Sequence, residues 1–311
     1  MMRMESTVVV LGTFAVGLVL LIKGSDLFIE AAARVAKGFG VSEFLIALVL
    51  ASVATTLPEV TVSALAALRG SSDIALGNAI GSALANIALI LGVASMILPL
   101  DVDETSWKHS VFLVAITAYV SLLMLDGTIG RLDGLSLILI YLGFLYYLYR
   151  KHMSLEPIEA ERGNPKRDVL ILFGSGLLVV VGAKLVVNSA VEIARAAGIS
   201  EVVIGLTLVS IGTSLPEFTN AVMAALKRLP NISVGNIIGA DILDILMVIG
   251  IASLIRPIKV DPEILHRTVP LTLLVMLILT FSLKRNNRVG RKTGLVFLSL
   301  YALFLYLSFS G

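Results

Sequence analysis

Residues 42–59 read SEFLIALVLASVATTLPE, and residues 200–217 read SEVVIGLTLVSIGTSLPE. Ten of these 18 aligned positions are identical, at a constant offset of 158. The same offset carries Gly77, Asn78, Gly81 and Gly92 onto Gly235, Asn236, Gly239 and Gly250. Near the ends, GRLDGLSLILIYLGFLYYLY from Gly130 matches GRKTGLVFLSLYALFLYLSF from Gly290 at an offset of 160. The chain is therefore duplicated. A duplication kept only for packing would preserve apolar faces. This one preserves Thr, Ser, Pro and Glu inside apolar stretches, where polar groups are costly.

The 311 residues are 57% hydrophobic and only 15% charged, with a mean hydropathy of +0.98. About 20 apolar residues span a bilayer as a helix. The pattern predicts ten spans, near 7–35, 42–69, 73–98, 107–126, 131–150, 168–195, 200–227, 232–255, 267–284 and 291–309. Residues 7–22 could pass for a signal-peptide core, but the apolar stretch runs on to about 36 without a small-residue cleavage site, so it reads as a span. Five spans per half force the second half to enter from the opposite side. The expected fold is all-α and integral to the membrane: ten transmembrane helices in two inverted five-helix repeats. The first repeat covers 1–150 and the second 168–311, joined by a polar linker, 151–167. Seven Lys/Arg lie at loops and helix ends on the N-terminal side, fifteen on the other. The positive-inside rule makes the linker cytoplasmic in a cell membrane and puts both termini outside.

Several function classes fall away. A net charge of +2, with no basic run interleaved with aromatics, speaks against nucleic acid. The lack of cysteine excludes disulfides and thiolate metal sites. His109, His152 and His266 sit near helix ends or in the linker. No His, Cys or Ser/Lys pair lies in a core span to act as base or nucleophile, so the chain does not read as an enzyme. The lipid bilayer is its one expected macromolecular partner. No cofactor and no obligate protein partner is evident.

The chemistry centres on Thr55-Thr56-Leu57-Pro58-Glu59 and Thr213-Ser214-Leu215-Pro216-Glu217. Each proline lacks an amide hydrogen and clashes with the carbonyl four residues back, so kinks are expected near Ala54 and Gly212. Carbonyls released at depth need partners, and a cation is one. Hydroxyls and the carboxylates of Glu59 and Glu217 complete a hard oxygen set suited to Ca²⁺ or Na⁺. Farther along, Asn86 aligns with Asp244, and Ala83 with Asp241. Asp244 is a third expected ligand. Asp241 is open between ligand, proton carrier and structural acid. The glycines of Gly77/Gly81 and Gly235/Gly239 permit close helix approach. Lys23, Asp26, Glu30, Lys184, Asn188 and Glu192 are expected to satisfy one another or face a vestibule. Trp107, Tyr141, Tyr146, Tyr147 and Tyr149 read as interfacial anchors.

At ALVLASVATTLPE with GNAIGSALANIALILG, and TLVSIGTSLPE with GNIIGADILDILMVIG, the chain resembles the cation/calcium exchanger superfamily, nearest its prokaryotic sodium/calcium exchangers. The resemblance covers the whole chain. It implies Na⁺/Ca²⁺ antiport by alternating access, with the first and sixth spans sliding across a fixed core. It implies Glu59 and Glu217 as shared ligands, backbone carbonyls from Thr55 and Thr213, hydroxyls from Thr56 and Ser214, and polar groups from Asn86 and Asp244. Ser52 and Ser210 would give backbone oxygens at outer sodium sites. Three positions depart from the family pattern: Ala240 where Ser is usual, Asp241 where Asn is usual, and Ala54 where Gly is usual. Alternative readings are H⁺/Ca²⁺ exchange, K⁺-dependent Na⁺/Ca²⁺ exchange, and a cation channel.

Overall fold

The computed structural model describes residues 4–153, 165–196 and 210–309. Most of the expected linker (154–164), the opening of the second motif (200–209) and the side chain of Ser210 lie outside the described residues.

Helix α1 (Met4–Phe39) leads into a span broken in two, α2 (Glu43–Thr55) and α3 (Leu57–Arg69). Then come α4 (72–97), α5 (Ser106–Asp126) and α6 (Arg131–Met153). The second half repeats the order with α7 (Pro165–Ala196), the broken pair α8 (Ser210–Thr213) and α9 (Leu215–Leu226), α10 (Pro230–Ile255), α11 (Ile264–Asn286) and α12 (Arg291–Phe309). Among the described residues, seven helices are each long and apolar enough to cross a membrane, and α2 with α3 makes an eighth, bent span. The other two expected spans correspond to the partly described α8–α9 segment and to α12.

The break comes later than expected. α2 and α3 meet at 45°, and the irregular residue is Thr56 (φ −83°, ψ 1°), two positions beyond Ala54. Pro58 occupies the first turn of α3, where a missing amide costs no hydrogen bond. The chain thus breaks ahead of the proline and avoids the clash. Ser214 (φ −85°, ψ 9°) does the same before Pro216, again two residues past the expected kink.

Two short ribbons tie the halves together. β1 (Leu100–Asp101) pairs antiparallel with β4 (Arg288–Val289), and β2 (Thr128–Ile129) with β3 (Ile258–Lys259). β1 and β3 follow the equivalent helices α4 and α10, while β2 and β4 lie in the equivalent turns before α6 and α12. Each ribbon therefore joins one strand from each repeat. Inverted topology puts β1 and β4 on the linker side and β2 and β3 on the opposite side, as the pairing requires. On the linker side, Asn231 donates to Asp103 Oδ1 at 3.0 Å and accepts from its backbone amide at 2.9 Å.

The halves interlock at the centre. α10 packs against α2, α9 against both α10 and α4, and α6 and α12 cover α10 and α4. Gly235 and Gly239 make the α10–α2 approach possible. An added Cβ at Gly235 would stand 2.6 Å from the Phe44 carbonyl oxygen; at Gly239 it would overlap that of Leu48 and stand 2.7 Å from Ser52 Oγ. α1 and α7 lie together across the broken spans. Their backbones approach where a Cβ on Gly182 would stand 2.6 Å from the Leu21 amide nitrogen. Two sequence expectations change here. His109 is at a helix end but is buried between the rings of Phe44 and Phe144. Tyr141 is also buried, whereas Tyr146, Tyr147 and Tyr149 are exposed.

Candidate functional site

The two broken spans bring Glu59 and Glu217 to the first turns of α3 and α9. Both are 1% exposed, as is Asp244, and Asp241 is fully enclosed. Glu59 lies within the field of Glu217 and Asp244, and Asp244 within that of Asp241 and Glu217. The four acids thus form one electrostatic cluster spanning both halves. Thr213 stands beside Glu59, while Thr55 and Thr56 stand beside Glu217, so each carboxylate faces the other half's hydroxyls. α4 and α10 each widen into a π-turn that starts at Asn86 and Asp244 respectively. Such turns commonly mark functional positions. Nothing in residue type announced them.

The hydrogen bonds follow the pseudo-symmetry until the sequence breaks it. Thr213 Oγ1 donates to Asn78 Oδ1 at 3.4 Å, and its image, Thr55 Oγ1, to Asn236 Oδ1 at 3.5 Å. Asn78 Nδ2 also donates to the Glu59 carbonyl at 3.2 Å and to Ser63 Oγ at 2.9 Å. Asn78 therefore clasps both broken spans. Asn236 has Ala221 where Asn78 has Ser63, and its Nδ2 has no partner among the described residues. Ser214 Oγ donates to Ser82 Oγ at 3.3 Å. The image of that bond would join Thr56 to Ala240, which has no side-chain oxygen, and Thr56 Oγ1 is left without a partner among the described residues. Asn86 Nδ2 donates to Asp241 Oδ1 at 2.9 Å. The image of that bond would join Asp244 to Ala83, and both Asp244 oxygens are unpartnered among the described residues.

Among the described residues, the result is a buried group of oxygens without hydrogen bonds: both from Glu59, Glu217 and Asp244, Oδ2 of Asp241, Oδ1 of Asn86 and Oγ1 of Thr56. Among the described residues, none of these acids has a Lys or Arg partner. Buried carboxylates without countercharge are strongly unfavourable, and hard cations are what this donor set can compensate. Among the described residues, no three His, Cys, Asp or Glu side chains group tightly enough to hold a metal ion by themselves. A cation held here needs neutral oxygens as well as carboxylates, which the hydroxyls, amides and backbone supply.

The expected residues do not all have the same standing. Ser52 is buried and its hydroxyl donates to Leu48 O at 2.7 Å, which leaves its backbone oxygen as the group to consider. Asn78, Asn236 and Ser82 were read as parts of a glycine packing motif, yet they bridge the halves. Asn220, one turn beyond Glu217, is buried with neither amide atom partnered among the described residues. Its repeat position is Val62, an asymmetry visible in the sequence and overlooked. Asp26 and Glu30 are reached by Lys227 from the other half at 2.6 and 2.8 Å, and Arg34 lies 3.6 Å from Glu30.

Comparison with known proteins places this site in context. The family model described as "Sodium/calcium exchanger protein" matches residues 9–150 and 168–310. An uncharacterized membrane protein of Methanocaldococcus jannaschii is 33% identical over 93% of this chain and 95% of its own. Sodium/calcium exchanger MaX1 of Methanosarcina acetivorans is 29% identical over 94% of this chain and 96% of its own. A structure of the sodium-calcium exchanger NCX_Mj soaked with 10 mM Na⁺ and no Ca²⁺ superposes with a TM-score of 0.87 at 31% identity, covering 96% of this chain and 99% of that one.

Proposed function

We propose, starting from the fact that this chain belongs to the sodium/calcium exchanger protein family, that it exchanges Na⁺ for Ca²⁺ across the membrane by alternating access. The observation that carries this is the cluster of four buried acids, without countercharge among the described residues, where two inverted halves meet. Glu59 and Glu217 are the shared ligands of both ions. Thr55 and Thr213 supply backbone carbonyls near the breaks, Thr56 and Ser214 hydroxyls, Asn86 its free Oδ1 and Asp244 a third carboxylate. Ser52 and Ser210 supply backbone oxygens at the sodium positions. Asp241 holds the Asn86 amide, because a carboxylate only accepts and so draws the NH₂ toward itself, leaving the carbonyl oxygen to the ions.

Because Na⁺ and Ca²⁺ compete for the same carboxylates, occupancy by one excludes the other. An empty site leaves several carboxylates unscreened, which opposes passage of the empty carrier between its two faces. α1 and α7, packed across the broken spans, are the pair that moves. The repeats are 1–150 and 168–311, the linker 151–167 is cytoplasmic, and both termini are outside.

The test is radiolabelled calcium uptake into proteoliposomes under separate Na⁺, K⁺ and H⁺ gradients. An outward-directed Na⁺ gradient is expected to drive uptake without help from the others, and Glu217→Gln to abolish it. Uptake driven by a pH gradient alone, or intact Na⁺-driven uptake in Glu217→Gln, would reject the reading.

A further inference from the structure

We propose that Lys227 is a positioning residue that latches α1 to α9 on the linker side and so holds the carrier with its opposite face open. The inference rests on the exchange reading above, in which α1 and α7 move against the rest. Lys227 caps the end of α9. Its Nζ lies 2.6 Å from Asp26 Oδ1 and 2.8 Å from Glu30 Oε1, both on α1. Arg34, one turn farther along α1, lies 3.6 Å from Glu30 and 3.0 Å from Asp168 in the first turn of α7. Asp168 directly follows the expected linker, so the whole cluster sits on that face. It joins both moving helices to one another and to the frame.

Two inverted halves with both faces alike would repeat this contact, and it is not repeated. The offset of 158 carries Asp26, Glu30 and Lys227 onto Lys184, Asn188 and Arg69, two cations and an amide that cannot form the pair. Among the described residues, neither Lys184 nor Arg69 takes part in an ion pair. The packing follows the charges. α9 lies against α1, and Ala224, one turn before Lys227, is buried with Phe28, Ile29 and Ala32 of α1. The image contact, α7 on α3, is not made to a comparable extent among the described residues. Leu215 packs on Leu21, Val179 and Ala183 of the moving pair, whereas its image Leu57 is 52% exposed. Asn220 is 1% exposed, whereas its image Val62 is half-buried. Opposite charges therefore close α1 onto the linker face, while closing the other face would bring Lys184 toward Arg69. Partly exposed pairs are each weak, but a small free energy is enough to shift two states that interconvert.

The chain has no cysteine, so an introduced one is the sole thiol. Full-length Ala224→Cys and Val62→Cys are reconstituted in vesicles with saturating Ca²⁺ on both sides and no gradient. Each face is then exposed in turn to membrane-impermeant thiosulfonates, cationic and anionic, so that a lost charge cannot mimic opening. Ala224→Cys is expected to react from the linker face and Val62→Cys from the opposite one. Adding Lys227→Gln is expected to speed the first about 3- to 10-fold, the range two weak ion pairs supply, and to slow the second. Lys227→Arg is expected to leave both rates as they were. Asp26→Asn with Glu30→Gln should reproduce Lys227→Gln, and all three together should add nothing, because they remove one contact. Should Ala224→Cys not fold, Asn220→Cys, equally covered one turn earlier, takes its place. Rates unchanged by Lys227→Gln overturn the proposal. So does a rise at both positions, which marks general loosening. Labelling needs no sodium gradient, so the two readings fail separately. Reciprocal rates without Na⁺-driven uptake would sink the exchange reading and uphold the latch; intact uptake with flat rates would sink the latch alone.

Discussion

Substituting Gly239 by alanine tests how tightly the site depends on the α10–α2 contact. The added methyl would overlap the Leu48 carbonyl oxygen and approach Ser52 Oγ to 2.7 Å. Ordinary contact begins near 3.4 Å, and at neighbouring Gly235 a Cβ would stand 2.6 Å from backbone. One methyl at Gly235 therefore displaces α10 by about 0.8 Å, the difference between those distances, and Gly239 demands more. Backbone cannot rotate away as a side chain can. Overpacking of this kind costs about 1–3 kcal/mol. Asn236 lies between the two glycines, and its bond from Thr55 is already 3.5 Å long, so a withdrawal of this size breaks it. An orphaned buried polar pair adds about 1–3 kcal/mol. The expected total for Gly239→Ala is about 2–6 kcal/mol of stability. Exchange should fall at least ~10-fold in the fraction that folds, since displacements near 1 Å at a reacting or binding centre are costly. The assay is thermal unfolding in detergent alongside Na⁺-driven calcium uptake, with Gly143→Ala as the control in open space. A Gly239→Ala protein with wild-type melting and wild-type uptake would refute the packing argument.

Ala240→Ser should give Thr56 the partner that Ser82 gives Ser214, stabilising the fold by about 0.5–1.5 kcal/mol; an unchanged or lowered melting temperature counts against it. Asp241→Ala should raise the KM for Ca²⁺ by ~10-fold or more by freeing the Asn86 amide to turn, while Asp241→Asn, which keeps an acceptor oxygen, recovers most of it. Equal defects in both would mean that the charge matters and not the orientation. Lys227, at the linker-side end of α9, is held above the usual lysine range by its bonds to Asp26 and Glu30. A raised lysine contributes fully below its unfolded value and loses that contribution only as pH rises through the folded one. Melting should thus show no Lys227-dependent change from about pH 6 to 9. The wild type should converge on Lys227→Gln only in strong alkali, and convergence near neutrality would exclude the ion pair as the cause.

Membrane class, duplication, inverted halves and the acids Glu59, Glu217, Asp241 and Asp244 were legible in the sequence alone. The reason is that hydrocarbon enforces long apolar runs, and a polar residue retained twice in such a run stands out against them. Ala240, where Ser is usual, and Ala83, aligned with Asp241, were visible there as breaks in the repeat. The tertiary structure alone decided which side chains meet. Thr55 finds Asn236 and Thr213 finds Asn78 across 181 and 135 residues of chain, and no local pattern encodes such pairing. The ribbons between halves, two residues long, are too short to show an alternating pattern. The π-turns at Asn86 and Asp244 use residues that an ordinary helix accepts equally well. Sequence fixes which groups are costly to bury; only the packing of one repeat on the other determines which of them are compensated by the protein and which are left for an ion.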